Sequence, residues 1–172
     1  MALLPIKIFG ESILREKAVP ITNLDGKLAD FLQDMTLTMR TANGLGLAAN
    51  QVGKAIRAFT VDLSHFDVTE EPKVFINPVI METGGVISGE EGCLSFPGLF
   101  QVIERPEKVT IKSISLDGRE YFYEAQGLLA RVILHEIDHL DGILFIDKLG
   151  AAQRKLIKGK LEKIKANSVE QE

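Results

Sequence analysis

An α+β fold is predicted for this 172-residue chain from three observations. Apolar residues recur at helical spacing between Leu24 and Ala42. Two alternating stretches, Lys108 to Leu116 and Arg119 to Ala125, meet across Asp117-Gly118, the strongest hairpin signal in the sequence. Gly127 to Leu140 is apolar almost all round, which is the pattern of a helix buried by its neighbours.

Taken in order, Ile6 to Ala18 reads as an extended arm or short strand and then a turn of helix around Glu11 to Arg15. The helix from Leu24 to Ala42 carries Leu28, Phe31, Leu32, Met35, Leu37 and Met39 on its apolar stripe. Asp25 is its candidate N-cap and Asn43-Gly44 its stop. Gly44 to Gln51 has the G-x-G-x-x-A spacing of a dinucleotide-binding turn but follows a helix and leads towards a strand, the reverse of what that motif requires. Its glycines can instead let a substrate backbone approach closely, with Gln51 offering an amide donor, or simply form a tight turn. Ile56 to Leu63, Lys73 to Asn77 and Val79 to Thr83 read as three strands, broken by Pro72 and by Asn77-Pro78. His65 falls in a polar loop with no ligand-type residues clustered around it.

A last helix is expected over residues 151–166, where Arg154, Lys155, Lys158, Lys160, Lys163 and Lys165 face one acid, Glu162. That excess suits either a solvated surface or docking to an anionic partner. No linker, repeat or low-complexity segment divides the chain, so residues 1–172 are expected to form a single catalytic domain, long enough to bury most of its apolar surface.

Composition narrows the functional classes. Hydrophobic residues at 45% and charged residues at 26% are those of a soluble globular protein. A net charge of -4 argues against sequence-specific nucleic-acid binding. The longest uncharged run, 13 residues from Thr41 to Gly53, is too short to span a bilayer. The Met-Ala-Leu-Leu-Pro-Ile-Lys start resembles neither a secretory signal nor a transit peptide, so a cytoplasmic location is expected. One cysteine, Cys93, has no internal disulfide partner and is either a small buried hydrophobe or a ligand.

The chemistry concentrates in His135-Glu136-Ile137-Asp138-His139. Residues four apart on a helix lie one turn, about 6 Å, above each other, so His135 and His139 can grip one metal ion. Glu136 then stands beside the ion and can take a proton from bound water, whose pKa falls from about 15.7 towards 7, to make hydroxide near neutral pH. A third ligand is needed. Phe145 occupies the position at which one H-E-x-x-H class places a histidine, and Glu162, at the spacing of another class, belongs to the lysine-rich helix. Cys93, in Glu91-Gly92-Cys93-Leu94-Ser95, gives a Cys/His/His set with one coordination position open, the mark of a catalytic site. Thiolate ligation suits Fe(II) as well as zinc and leaves the metal open.

Three stretches in this order, Gly44 to Gln51, Glu91 to Ser95 and His135 to His139, resemble the motifs G-x-G-x-A-A-x-Q, E-G-C-x-S and H-E-x-D-H of the peptide deformylases. That family removes the formyl group from the N-terminal formylmethionine of new proteins in bacteria and organelles. The resemblance implies mixed and antiparallel sheets around a central H-E-x-x-H helix, with N- and C-terminal helices outside. It implies one Fe(II) per chain, for which Zn(II), Ni(II) or Co(II) can substitute, held by Cys93, His135 and His139, with Glu136 as general base and then acid and formate as product. Gln51 and the backbone N–H of Leu94 would hold the formyl oxygen. Leu45, Gly46 and Gly92 would pair with the peptide backbone, and Leu128, Val132 and Arg131 would line the methionine pocket, the Arg131 guanidinium reaching water. Glu91 and Asp138 are candidates to orient a ligating imidazole, with Arg105 paired to one of them. Leu134 departs from the family's usual glutamine. Nascent formylmethionyl peptides are the implied substrates in a bacterial cytoplasm, and the basic last helix resembles the ribosome-docking segment of some members. A protease acting on internal peptide bonds and a non-catalytic metal module are the rival readings.

Overall fold

The computed structural model of the chain describes residues 1–169. Helix α1, Gly26–Thr41, begins where the Asp25 carboxylate accepts the Leu28 N–H at 2.9 Å and ends ahead of Asn43, whose φ of 56° turns the chain out of the helix. Its buried stripe includes Thr38 in place of the expected Leu37; the Thr38 hydroxyl bonds the Asp34 carbonyl at 2.7 Å and so tolerates burial.

Two antiparallel sheets follow. The larger contains β1 (Gly46–Ala48), β2 (Ala58–Val61), β3 (Lys73–Gly84), β6 (Lys108–Ile114) and β7 (Glu120–Gln126) in the order β1-β2-β3-β6-β7. The smaller pairs β4 (Ile87–Cys93) with β5 (Phe96–Arg105). The hairpin across Asp117-Gly118 forms with Lys112 opposite Phe122, and Gly118 takes φ 83° in its turn. Asn77-Pro78 does not end a strand: β3 runs through it as a bulge. Asn77 adopts φ 49° there, and its side-chain amide bonds both the N–H and the carbonyl of Ile21, which replaces the missing ladder. The Ile6-to-Ala18 arm contains no strand; a short 3-10 turn covers Ser12–Arg15.

Helix α2, Leu128–Leu140, lies between the sheets and is buried on nearly every side, against β1, β2, β6 and β7. Ala130, Ile133, Leu134 and Ile137 join Phe59, Phe75 and Ile111 in one apolar cluster. Leu134 thereby fills core space where a glutamine would need a hydrogen-bond partner. Helix α3, Ala151–Val169, runs beyond the expected end and docks Ile157 and Ile164 on Phe96, Leu99, Phe145 and Ile146. Its basic residues therefore belong to a helix anchored in the core. Among the described residues no helix is long and apolar enough to cross a membrane.

Candidate metal centre

Helical spacing and one hairpin end build the centre. His135 and His139 project from the same side of α2, and Cys93 closes β4 just before the Leu94-Ser95 turn into β5. The Nε2 atoms of the two histidines lie 3.2 Å apart, and Cys93 Sγ is 3.3 Å from His139 Nε2. Two nitrogens each about 2.0–2.1 Å from a tetrahedral ion stand at about this separation, so the donor set fits one metal ion. Among the described residues this is the one cluster of its kind, and all three ligand atoms lie within 4.8 Å of one another.

The surrounding charges orient the ligands. Glu91 Oε1 lies 2.5 Å from His135 Nδ1, which leaves Nε2 aimed at the ligand cluster. Arg105 grips Glu91 through two bonds, 2.7 and 2.6 Å, and Asp138 through a third of 2.8 Å. Burial alone would raise the Glu91 carboxyl, but the hydrogen bonds from Arg105 and His135 overcome it and hold it well below the usual carboxylate range. Burial next to His135 pushes His139 well below the ordinary imidazole value, so it stays neutral. The expectation that Asp138 orients an imidazole is not met. Its carboxylate is spent on Arg105 and Lys148, and His139 Nδ1 is buried without a partner.

Glu136 is not one of the three converging donors. It is buried, its Oε2 has no partner, and burial raises its pKa to about 7. Gly46 leaves room for it: a Cβ there would stand 2.6 Å from Glu136 Oε1 and 2.9 Å from its Cγ. Gln51 is fully enclosed. Its carbonyl accepts the Ala48 N–H at 2.9 Å, which turns its amide nitrogen towards Cys93 Sγ at 3.4 Å and Ser95 Oγ at 3.2 Å.

A cavity of about 430 Å³ opens over these groups, between β1 and β4. Leu45, Gly46, Gly92, Leu94, Leu128 and Val132 all border it. The Leu45 carbonyl is already bonded to the Asp62 N–H at 2.9 Å. Arg131 borders it too, but its guanidinium does not reach water. At 5% exposure it donates to Glu91 Oε2 at 3.0 Å and to the carbonyls of Ile103 and Ile87 at 2.9 Å each. Three fixed acceptors within the protein outbid solvent for an arginine that a single-residue reading places at a rim. Gly89 makes space for it, since a Cβ there would meet Arg131 Nη2 at 3.0 Å. Sequence reasoning missed Ser95, Gly89 and Phe100. Phe100, 58% exposed on β5, covers Gly92, where a Cβ would lie 2.5 Å from the ring. The two glycines flanking Glu90-Glu91 were the available signal, because glycine inside a strand marks close approach by another group. His65 lies away from the centre, half-exposed and 3.9 Å from Asp62. Glu162 is exposed on α3 opposite Lys158.

A sequence model of the polypeptide deformylase family matches residues 3–155. The chain is 43% identical over 164 residues to a peptide deformylase of Alkalilimnicola ehrlichii, covering 95% of this chain and 92% of that one. It is 45% identical over 163 residues to one of Syntrophobacter fumaroxidans, covering 95% and 96%. Among solved structures it is similar to a peptide deformylase from Legionella pneumophila, with a TM-score of 0.89, 37% identity and 98% of each chain covered. It is also similar to one from Synechococcus elongatus in complex with actinonin, with a TM-score of 0.85, 38% identity and 91% and 87% covered.

Proposed function

The chain belongs to the peptide deformylase family, metal-dependent hydrolases that remove the N-formyl group from nascent peptides, and on that premise we propose how its own residues divide the work. The observation that carries the proposal is the convergence of Cys93 Sγ and the Nε2 atoms of His135 and His139, with the unpartnered carboxylate of Glu136 beside them. A bound divalent ion would lower the pKa of water towards about 7 and polarise the formyl carbonyl. Glu136 takes the proton of the attacking water and hands it to the departing amine, so that formate leaves and a free amino terminus remains. Burial, which raises its pKa, favours uptake of that proton. The Gln51 amide and the Leu94 N–H hold the formyl oxygen as charge develops on it. Leu45, Gly46 and Gly92 take the peptide backbone, and Leu128 and Val132 receive the methionine side chain. The whole chain serves as one catalytic domain, in the cytoplasm of a bacterium.

Fe(II) is the proposed native ion, one that the mixed thiolate and imidazole set suits as well as it suits zinc. Ferrous iron and the Cys93 thiolate are both open to oxygen, whereas Zn(II) has no accessible redox step. Anaerobically prepared iron protein should deformylate a formyl-Met tripeptide faster than the zinc form and lose that advantage during timed exposure to air. Mass spectrometry of Cys93 follows the damage. Equal decay of the two forms, or a more active zinc form, would sink the iron assignment.

The basic residues of α3 are proposed to dock on ribosomal RNA through its phosphates. Cutting the chain after Gly150 would bare Phe96, Leu99 and Phe145, so charge reversal is the cleaner test. Replacing exposed Arg154, Lys155 and Lys158 with glutamate should weaken ribosome binding, more so at low salt, and spare tripeptide turnover. Unchanged ribosome affinity would leave these residues as a solvated surface.

A further inference from the structure

The cavity over the metal centre does not end at a wall. Its outer side is formed by Pro97 and Gly98, and the same two residues line a second cavity of about 340 Å³ against α3. Both residues are exposed. Gly98 contributes no side chain to the ridge between the cavities, and its Cβ position has nothing within 4 Å. Beyond the ridge the floor is apolar, made by Ile8, Leu99 and Ile164, and Lys160 and Lys163 rise along its edge. Among the described residues Lys160 and Lys163 take part in no ion pair, while Lys158 pairs with Glu162, one helical turn on, at 4.0 Å.

We propose that this second cavity is a distal subsite for the substrate chain itself, receiving residues downstream of the first few and favouring an apolar residue flanked by acidic ones. The inference rests on the deformylase reading given above. With the formyl end at Cys93, His135 and His139 and the first side chain between Leu128 and Val132, a cavity of about 430 Å³ holds only the first few residues. An extended chain advances about 3.3–3.6 Å per residue, so the next ones must cross a rim. Pro97-Gly98 is a rim that leads to another cavity instead of to open solvent. A floor of Ile8, Leu99 and Ile164 accepts an aliphatic side chain, and two cations at its edge select carboxylates beside it. The six basic residues of α3 thus divide: Lys160 and Lys163 look onto the substrate path, and Lys165 borders a separate pocket near Phe9 and Gly10.

Steady-state kinetics on a formyl-Met tripeptide and on longer peptides carrying a Leu-Glu-Glu or Leu-Lys-Lys segment at successive downstream positions tests this. At one register the acidic peptide should show a KM about three- to tenfold below that of the tripeptide, with kcat unchanged, as expected for two exposed ion pairs. The advantage should shrink in about 0.5 M salt. It should disappear in Lys160→Glu/Lys163→Glu and diminish in Lys160→Ala/Lys163→Ala, while both variants turn over the tripeptide like the wild type. A KM independent of length and charge overturns the proposal, as does an acidic preference that survives in both variants. Failure of the wild type on the tripeptide would overturn the underlying assignment of the centre, and this subsite with it.

Discussion

Glu136→Ala should lower turnover of a formyl-Met peptide by at least about 100-fold, the lower range for losing a general base, and still retain about one metal ion per chain. The separation follows from position. Three donors converge within 4.8 Å of one another, and the Glu136 carboxylate is not among them. It stands free, with Oε2 unpartnered and Oε1 against the space that Gly46 leaves vacant. A ligand would pull that carboxylate into the cluster; a proton carrier needs it held close but uncommitted. Glu136→Gln is the stricter variant, because it keeps the shape and removes only the basicity. Metal content and kcat should be measured on the same preparations. Loss of the ion from both variants would make Glu136 a ligand and overturn its assignment as base, and near-normal turnover would remove it from the proton path.

Much of this centre was legible because its spacing is local. His135, Glu136 and His139 share one helix, so period alone places them, and the apolar residues around them announce that the helix is buried. The Asp117-Gly118 hairpin was legible for the same reason, since turn chemistry lies within a few residues of the strands it joins. The pair β4 and β5 was not. Ser88-Gly89-Glu90-Glu91-Gly92 has poor strand propensity, and its extended form is sustained from outside, by β5 along its whole length and by Arg131 stapled to the Ile87 and Ile103 carbonyls. Asn77-Pro78 misled in the opposite sense. The dipeptide breaks the ladder locally, but Ile21, distant in sequence, satisfies Asn77 and lets the strand continue. Arg131 borders the cavity, but its guanidinium does not reach the water expected for it, because its acceptors come from two strands whose pairing only the fold reveals.

That misplaced arginine bears on the second large effect, expected for Glu91→Ala. Glu91 is the hub at which Arg105, Arg131 and His135 meet. Removing its carboxylate leaves two buried guanidinium groups short of their counter-charge, a loss of about 3–5 kcal/mol for a broken buried pair. Asp138 still holds Arg105, and backbone carbonyls still hold Arg131, which argues for the lower end of that range. His135 loses the acceptor that fixes its Nδ1–H, and metal affinity should fall about 10- to 100-fold. Asp138→Ala should be milder on both counts, because that carboxylate touches Arg105 and Lys148 but no imidazole. Glu91→Gln preserves volume and isolates the charge. The pH dependence gives an independent check with a definite sign. The folded-state pKa of Glu91 is depressed, so its stabilisation is complete above the unfolded carboxylate value of about 4.3 and is lost as the pH falls towards the lower folded value. The stability gap between wild type and Glu91→Gln should therefore be widest near neutrality and close in acid. Urea unfolding of the metal-free proteins across that range, with chelator competition for affinity at neutral pH, measures both effects. A Glu91→Ala protein with wild-type midpoint and wild-type metal affinity would show that the arginines hold β4 and β5 to α2 without acting on the centre at all.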